Sequence, residues 1–203
     1  VKRLARVIDV EARQFELVEE LVDNVELPIQ VTIASGFPKG DKLEFITQKV
    51  TELGASQIWG FPGDWSVAKW DGKKLGKKVE KLEKIALGAA EQSKRNLVPS
   101  IKLFEKKADF LAQLDKFDSI VVAYEESAKE GEAAALLQAV AGLEKGAKLL
   151  FIFGPEGGLS PAEIESFEAK GAVLAGLGPR ILRAETAPLY ALSALSVLVE
   201  LEK

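Results

Sequence analysis

Apolar positions along the chain follow two spacings that take turns. Ile29-Gln30-Val31-Thr32-Ile33-Ala34 is apolar at alternate positions, the two-residue period of a strand. Ser119-Ile120-Val121-Val122-Ala123-Tyr124 is rich in β-branched residues and reads as a buried strand. Lys148-Leu149-Leu150-Phe151-Ile152-Phe153 carries the strongest strand signal, and shorter ones fall at 58–61, 101–104 and 173–177. Between these runs the period lengthens. Over 73–92, Val79, Leu82, Ile85, Ala86 and Ala89 share one face of a long amphipathic helix. A second helix spans 41–53 and stops at Gly54, where a left-handed glycine can close it.

Further helices are predicted at 109–114, 133–143 and 186–202. Another begins after Ser160, which has Pro161 at the first helical position and Glu163 three residues on. Strands alternating with helices predict an α/β fold with a parallel sheet covered on both faces. Ligands of such sheets bind at the carboxyl ends of the strands. The first twenty residues are different. They hold two β-like pieces, 4–8 and 15–18, followed by turn and linker signals at Asp23-Asn24 and Pro28. This segment is too short for a core of its own and reads as part of a small β domain.

Composition removes several kinds of chemistry. The 203 residues include no Cys, His or Met. Thiolate and imidazole nucleophiles, a Ser-His-Asp triad and an ordinary zinc site are therefore excluded, and no metal is expected. A chain without an initiating Met is expected to start inside a longer protein. No apolar run reaches the roughly 18 residues of a membrane span, and a cytoplasmic protein without membrane or DNA partners is expected. The net charge of −4 conceals an asymmetry. Residues 69–107 carry 12 Lys and Arg against 5 Asp and Glu, whereas the remainder carries 15 against 26. A basic segment on an acidic protein can steer a polyanion to one face, or can simply be a solvated helix.

Two loops after predicted strands concentrate the candidate chemistry. In Phe153-Gly154-Pro155-Glu156-Gly157-Gly158-Leu159-Ser160, three glycines around a proline let the backbone approach a ligand and offer amide donors. The spacing is not that of a dinucleotide or phosphate loop, and the same residues would also make a tight strand-to-helix turn. The second loop, 177–187, holds Ile181 and Leu182 between glycine and Arg183, with Glu185 beside a helix start. Apolar residues flanking backbone donors suit a flat heterocycle. They could equally plug the core above a surface ion pair.

These segments resemble the SPOUT methyltransferases, and within them the bacterial 16S ribosomal RNA uridine-N3 methyltransferases. The matching pieces are Phe37-Pro38-Lys39-Gly40-Asp41-Lys42, Gln48-Lys49-Val50-Thr51-Glu52-Leu53-Gly54, Ala89-Ala90-Glu91-Gln92-Ser93-Lys94-Arg95, Phe153-Gly154-Pro155-Glu156-Gly157-Gly158 and all of 177–187. They stand in the family's order and spacing. Where the family often has a Glu-Arg pair, this chain has Asp64-Trp65-Ser66.

The resemblance implies a parallel-sheet SPOUT fold with a C-terminal trefoil knot, and a homodimer that bends S-adenosylmethionine into the knot. It further implies a PUA-like RNA-binding β-barrel, of which residues 1–28 would be a part and 29–203 the methyltransferase domain. Gly154, Glu156, Gly157 and Gly158 would line one side of the cofactor, and Leu177, Gly178, Ile181, Leu182 and Thr186 the other. Arg183 would stabilise a uracil anion or orient the base. Glu185 would position Arg183 or accept the proton, unless the two merely form an ion pair. Gln92, Lys94 and Arg95 would contact RNA phosphate or cap the basic helix.

Tyr124-Glu125-Glu126 could face the methionine end of the cofactor. Trp59, Trp65 and Trp70 could stack on bases or pack at a boundary. The implied partner is small-subunit ribosomal RNA or the assembled 30S subunit. Transfer RNA, another ribosomal site, or RNA binding without catalysis are the competing readings.

Overall fold

The computed structural model describes residues 2–21, 24–124 and 133–201. Asp23, the pair Glu125-Glu126 and Glu202 lie outside the described residues. β1 (Lys2–Asp9) and β2 (Gln14–Leu21) form an antiparallel hairpin that does not join the main sheet. The main sheet contains β3 (Gln30–Gly36), β4 (Gln57–Phe61), β5 (Ser100–Leu103), β6 (Ser119–Ala123), β7 (Lys148–Phe153) and β8 (Val173–Ala175). All five of its ladders are parallel, in the order β5-β4-β3-β7-β6-β8. The predicted alternation is therefore met. β7 enters between β3 and β6, the point where the strand order reverses.

The helices are α1 (Lys42–Glu52), α2 (Gly72–Gln92), α3 (Lys107–Leu111), α4 (Ala133–Val140), α5 (Pro161–Glu168) and α6 (Ala187–Ser196). Local chemistry sets several of their ends. Asp71 accepts the Lys74 N–H at 2.9 Å at the start of α2. Ser160 and Glu163 form the reciprocal capping box of α5. Gly54 sits at φ 102° just beyond α1. Two predicted helices are modified: 109–114 becomes α3 followed by a 3-10 turn (Leu114–Lys116), and the closing helix passes into a π turn (Val197–Leu201).

Both faces of the sheet are buried. Along β7, Leu149, Phe151 and Phe153 join Ile46 and Val50 of α1 and Ala191, Leu192 and Leu195 of α6. Leu150 and Ile152 turn the other way, toward Phe110 of α3 and Ile164 and Phe167 of α5. Two covered faces explain the continuous apolar run. In β3 the polar alternates Thr32 and Ser35 are buried too, because a central strand has no solvent face. Each buried Leu, Ile or Phe side chain contributes about 1.5–3 kcal/mol. Phe61 stacks on Phe110 at 4.3 Å, and Trp59 meets Phe104 and Phe117 edge-on, so Trp59 is a core residue. Trp70 rests on Phe37 at 4.3 Å. By contrast Val7, Ile8, Val10 and Phe15 of the hairpin region are exposed.

The expected RNA contact at Arg95 is corrected by its burial. Its side chain is 3% exposed. Its Nη1 donates to the carbonyls of Thr51 (2.9 Å) and Ala55 (2.7 Å), and its Nε donates to Glu26 at 3.1 Å. Glu26 also accepts the Asn96 and Leu97 amides. The guanidinium thus clasps the end of α1 to the segments before β3 and β5, with no face left for a phosphate. Gln92 and Lys94 remain exposed. They lie beside the start of β5, at the amino edge of the sheet. Arg95→Ala should lower unfolding free energy by about 3–5 kcal/mol in urea titration, because it strands Glu26 and three carbonyls. Lys94→Gln should change it by less than about 0.5 kcal/mol.

Candidate functional site

At the opposite, carboxyl edge of the sheet lies a cleft of about 690 Å³. Ala123 and Tyr124 at the end of β6 and residues 153–159 after β7 form its floor and one wall, and residues 181–184 form the other. Lys42, at the start of α1, and Trp65 close its ends. This is the crevice beside a strand-order reversal where open parallel sheets bind ligands.

The wall after β7 depends on missing side chains. A Cβ at Gly154 would lie 2.8 Å from the Gly158 carbonyl carbon, and one at Gly157 would lie 2.9 Å from Trp65 Cβ. The loop is also fastened from behind. Ser160 Oγ donates to Asp64 at 2.6 Å, and Glu163 accepts the Asp64 and Ser160 amides at 3.0 and 2.9 Å. Lys107 pairs with both Asp64 and Glu163. Hydrogen bonds from Lys107 and Ser160 hold the Asp64 carboxyl below its ordinary value. Asp64 therefore anchors the glycine loop, while its neighbour Trp65, half exposed, faces the cleft.

In the opposite wall, the N–H groups of Ile181 and Leu182, like that of Gly178 in the turn before it, donate to no group among the described residues. Arg183 lines the cleft and is exposed; its carbonyl accepts the Thr186 and Ala187 amides, but its guanidinium makes no hydrogen bond or ion pair among the described residues. Glu185 does not pair with it. Its Oε2 lies 3.0 Å from Lys42 Nζ, and the same Nζ is 3.0 Å from Glu156 Oε1. Glu156 also accepts the Lys39 amide at 3.1 Å. One ammonium thus joins the two walls. Burial pushes both carboxyls upward, but each one's own backbone amide and Lys42 outweigh it and hold both below their ordinary values. The two carboxylates raise Lys42 in return. Among the described residues no group of three or more His, Cys, Asp or Glu is placed to hold a metal ion.

Residues 25–196 match the model of the RNA methyltransferase domain family. The chain is 54% identical over 185 residues to ribosomal RNA small subunit methyltransferase E of Bacillus subtilis, covering 91% of this chain and 72% of that protein. The chain belongs to the ribosomal RNA small subunit methyltransferase E family. The member from Mesomycoplasma hyopneumoniae is 33% identical over 178 residues, which is 88% of this chain and 74% of that protein. The crystal structure of the methyltransferase E of Neisseria gonorrhoeae bound to S-adenosyl methionine superposes with a TM-score of 0.73 at 27% identity. It covers 97% of this chain and 78% of that one.

In this methyltransferase E family member, the cleft gathers Gly154, Glu156, Gly157, Gly158, Ile181, Leu182 and Arg183 from two distant stretches of sequence. Leu177, Gly178 and Thr186 do not line it. Leu177 packs against the core, Gly178 turns the chain at φ 91°, and Thr186 begins α6. Trp65, a stacking or packing candidate from the sequence, also lines the cleft, and Lys42 is the lining residue to which reading the sequence assigned no role. Lys42 stood inside a matching motif without a role, since only the fold brings it to Glu156 and Glu185.

Carboxyls lowered by folding stabilise the folded state above their ordinary value of 4.5, and that contribution is lost as pH falls through the lowered folded values. Melting temperature should therefore hold steady from pH 7 to about 5 and fall below that. Glu156→Gln should make the acid-side fall shallower in melts across this range.

Proposed function

We propose that this chain is an S-adenosylmethionine-dependent methyltransferase acting on N3 of a specific uridine in small-subunit ribosomal RNA. The observation that carries this reading is an unpaired Arg183 facing a cleft whose walls are a glycine loop and a run of unpaired backbone amides, in a chain of the methyltransferase E family. The fit to the cofactor rests on those walls. Gly154, Gly157 and Gly158 line one wall, the first two packed too closely on Gly158 and Trp65 to carry a side chain, and the amides of Ile181 and Leu182 offer donors to the edge of a purine.

When bound, S-adenosylmethionine would supply an electrophilic methyl group whose leaving group is a neutral thioether. The chain's own residues set the stage for it. Uridine N3 must first lose its proton. Glu185 is engaged by Lys42 and does not line the cleft, so in this reading the proton leaves to solvent rather than to Glu185. Arg183 offers an unpaired cation to the resulting imide anion. The floor and walls would orient the base within the cleft, which would remove much of the orientational cost of the step.

The same reading extends to assembly and location. Uncovered apolar side chains at Ile181, Tyr190, Val197 and Leu201 suit a second copy of the chain, hence a homodimer. The exposed apolar residues of the hairpin suit its place in a PUA-like β-barrel, with residues 1–28 belonging to that domain and 29–203 to the methyltransferase domain. Insertion of β7 between β3 and β6, with α6 returning against β7 and α1, supports a C-terminal trefoil knot. A ribosomal RNA substrate supports a cytoplasmic location.

Labelled S-adenosylmethionine and unmodified 30S subunits or naked rRNA should yield N3-methyluridine at one site, identified by mass spectrometry of the product nucleosides. Cofactor binding with no transfer to either RNA would overturn the reading. Arg183→Ala should lower the single-turnover rate by about 10²–10³-fold while cofactor affinity is retained.

RNA would approach over the amino half of α2, which follows the loop leaving β4 on the cleft side. Lys73, Lys74 and Lys77 are exposed there, and Lys39 and Lys69 stand on neighbouring loops. Gln92 and Lys94 would meet RNA only at the far end of the helix. Lys73→Glu with Lys77→Glu should weaken RNA binding about tenfold or more and flatten its dependence on log salt by about 1–2. Filter binding across a salt series checks this, and reversal at Lys94 should do less.

A further inference from the structure

We propose that Lys42 is a positioning residue that ties the two walls of the cleft together and, by occupying Glu185, keeps Arg183 free to meet an anionic substrate. This rests on the methyl-transfer reading and adds a residue to it. Lys42 is the first residue of α1, and its ammonium reaches Glu156 in the loop after β7 and Glu185 in the loop before α6, each at 3.0 Å. The side chains of all three are largely withdrawn from solvent, with 27%, 27% and 20% exposed. Water therefore screens the triad less than it would a surface pair. Remove the ammonium and two carboxylates face each other across no more than about 6 Å, with nothing between them.

Their escape routes differ. Glu156 keeps the Lys39 amide. Glu185 has no other side-chain partner among the described residues, and the nearby cation is Arg183, two positions away, whose charge it already senses. Without Lys42, Glu185 would turn to Arg183 and neutralise the guanidinium that the cleft otherwise presents bare. Lys42 thus has two separable effects. One holds the walls, which the cofactor reads as affinity. The other withholds a carboxylate from Arg183, which the reaction reads as rate.

The test uses the full chain as wild type, Lys42→Met, and Lys42→Met with Glu185→Gln. Cofactor affinity is measured by calorimetry, and single-turnover methyl transfer is measured at saturating cofactor and 30S subunit. Lys42→Met should weaken cofactor binding about tenfold and slow transfer about 100-fold. The double variant should keep the weakened binding yet regain about tenfold or more of the rate, since no carboxylate is left to capture Arg183. Unchanged rate in Lys42→Met, or no recovery in a double variant that melts like the single one, would overturn the proposal. A crystal structure of Lys42→Met provides a readout independent of activity. A Glu185–Arg183 ion pair supports the proposal and its absence overturns it. Wild-type protein that transfers no methyl group would instead overturn the reading on which this rests, whatever that crystal structure shows.

Discussion

The loop after β7 lies flat against its neighbours because three positions carry no side chain. A Cβ at Gly36 would stand 2.5 Å from Pro155 Cδ, one at Gly154 would meet the backbone of Gly158, and one at Gly157 would press on Trp65. Interiors are packed too densely to absorb such overlaps without moving backbone. The close approach brings the end of β3, the loop after β4 and the loop after β7 into one wall. Everything else at the site is hung from that wall. Asp64, Ser160, Glu163 and Lys107 lock it from behind, and Glu156 fixes the turn that leads into α1.

Sheet direction then divides the molecule's charges by task. At the amino edge Arg95 is consumed by Glu26 and three carbonyls, so a buried cation serves the fold. At the carboxyl edge Lys42 is consumed by two glutamates, and Arg183 is left unspent. A bare guanidinium beside unpaired amides is an incomplete arrangement, costly in a core but suited to a cleft that awaits an anion and a polar heterocycle. The excess lysines of α2 begin at this same edge, so the field outside the cleft and the cation inside it have one sign.

Family membership and geometry meet at the same residues. The family match over residues 25–196 spans the two loops that form the cleft walls, and the chain superposes on a relative solved with S-adenosyl methionine. Within those stretches the structure separates wall from lining. Ile181 and Leu182 face the cleft, whereas Leu177 belongs to the core and Gly178 and Thr186 shape the turn that presents their neighbours.

What the amino-acid sequence determined by itself was local or periodic. Spacing of apolar residues specified strand and helix, Ser160 with Glu163 specified a helix start, and Gly54 a helix end, because each of these rests on contacts within a few residues. The two loops were legible for the same reason, as unusual composition next to a strand. Strand order was not, since it depends on which faces bury together across more than a hundred residues. Nor were the partners of charged side chains. Arg95 and Arg183 are alike in sequence, each a cation beside a helix end. Only the fold places one against Glu26 and three carbonyls and gives the other's nearest carboxylate to Lys42, 143 positions away from Glu185.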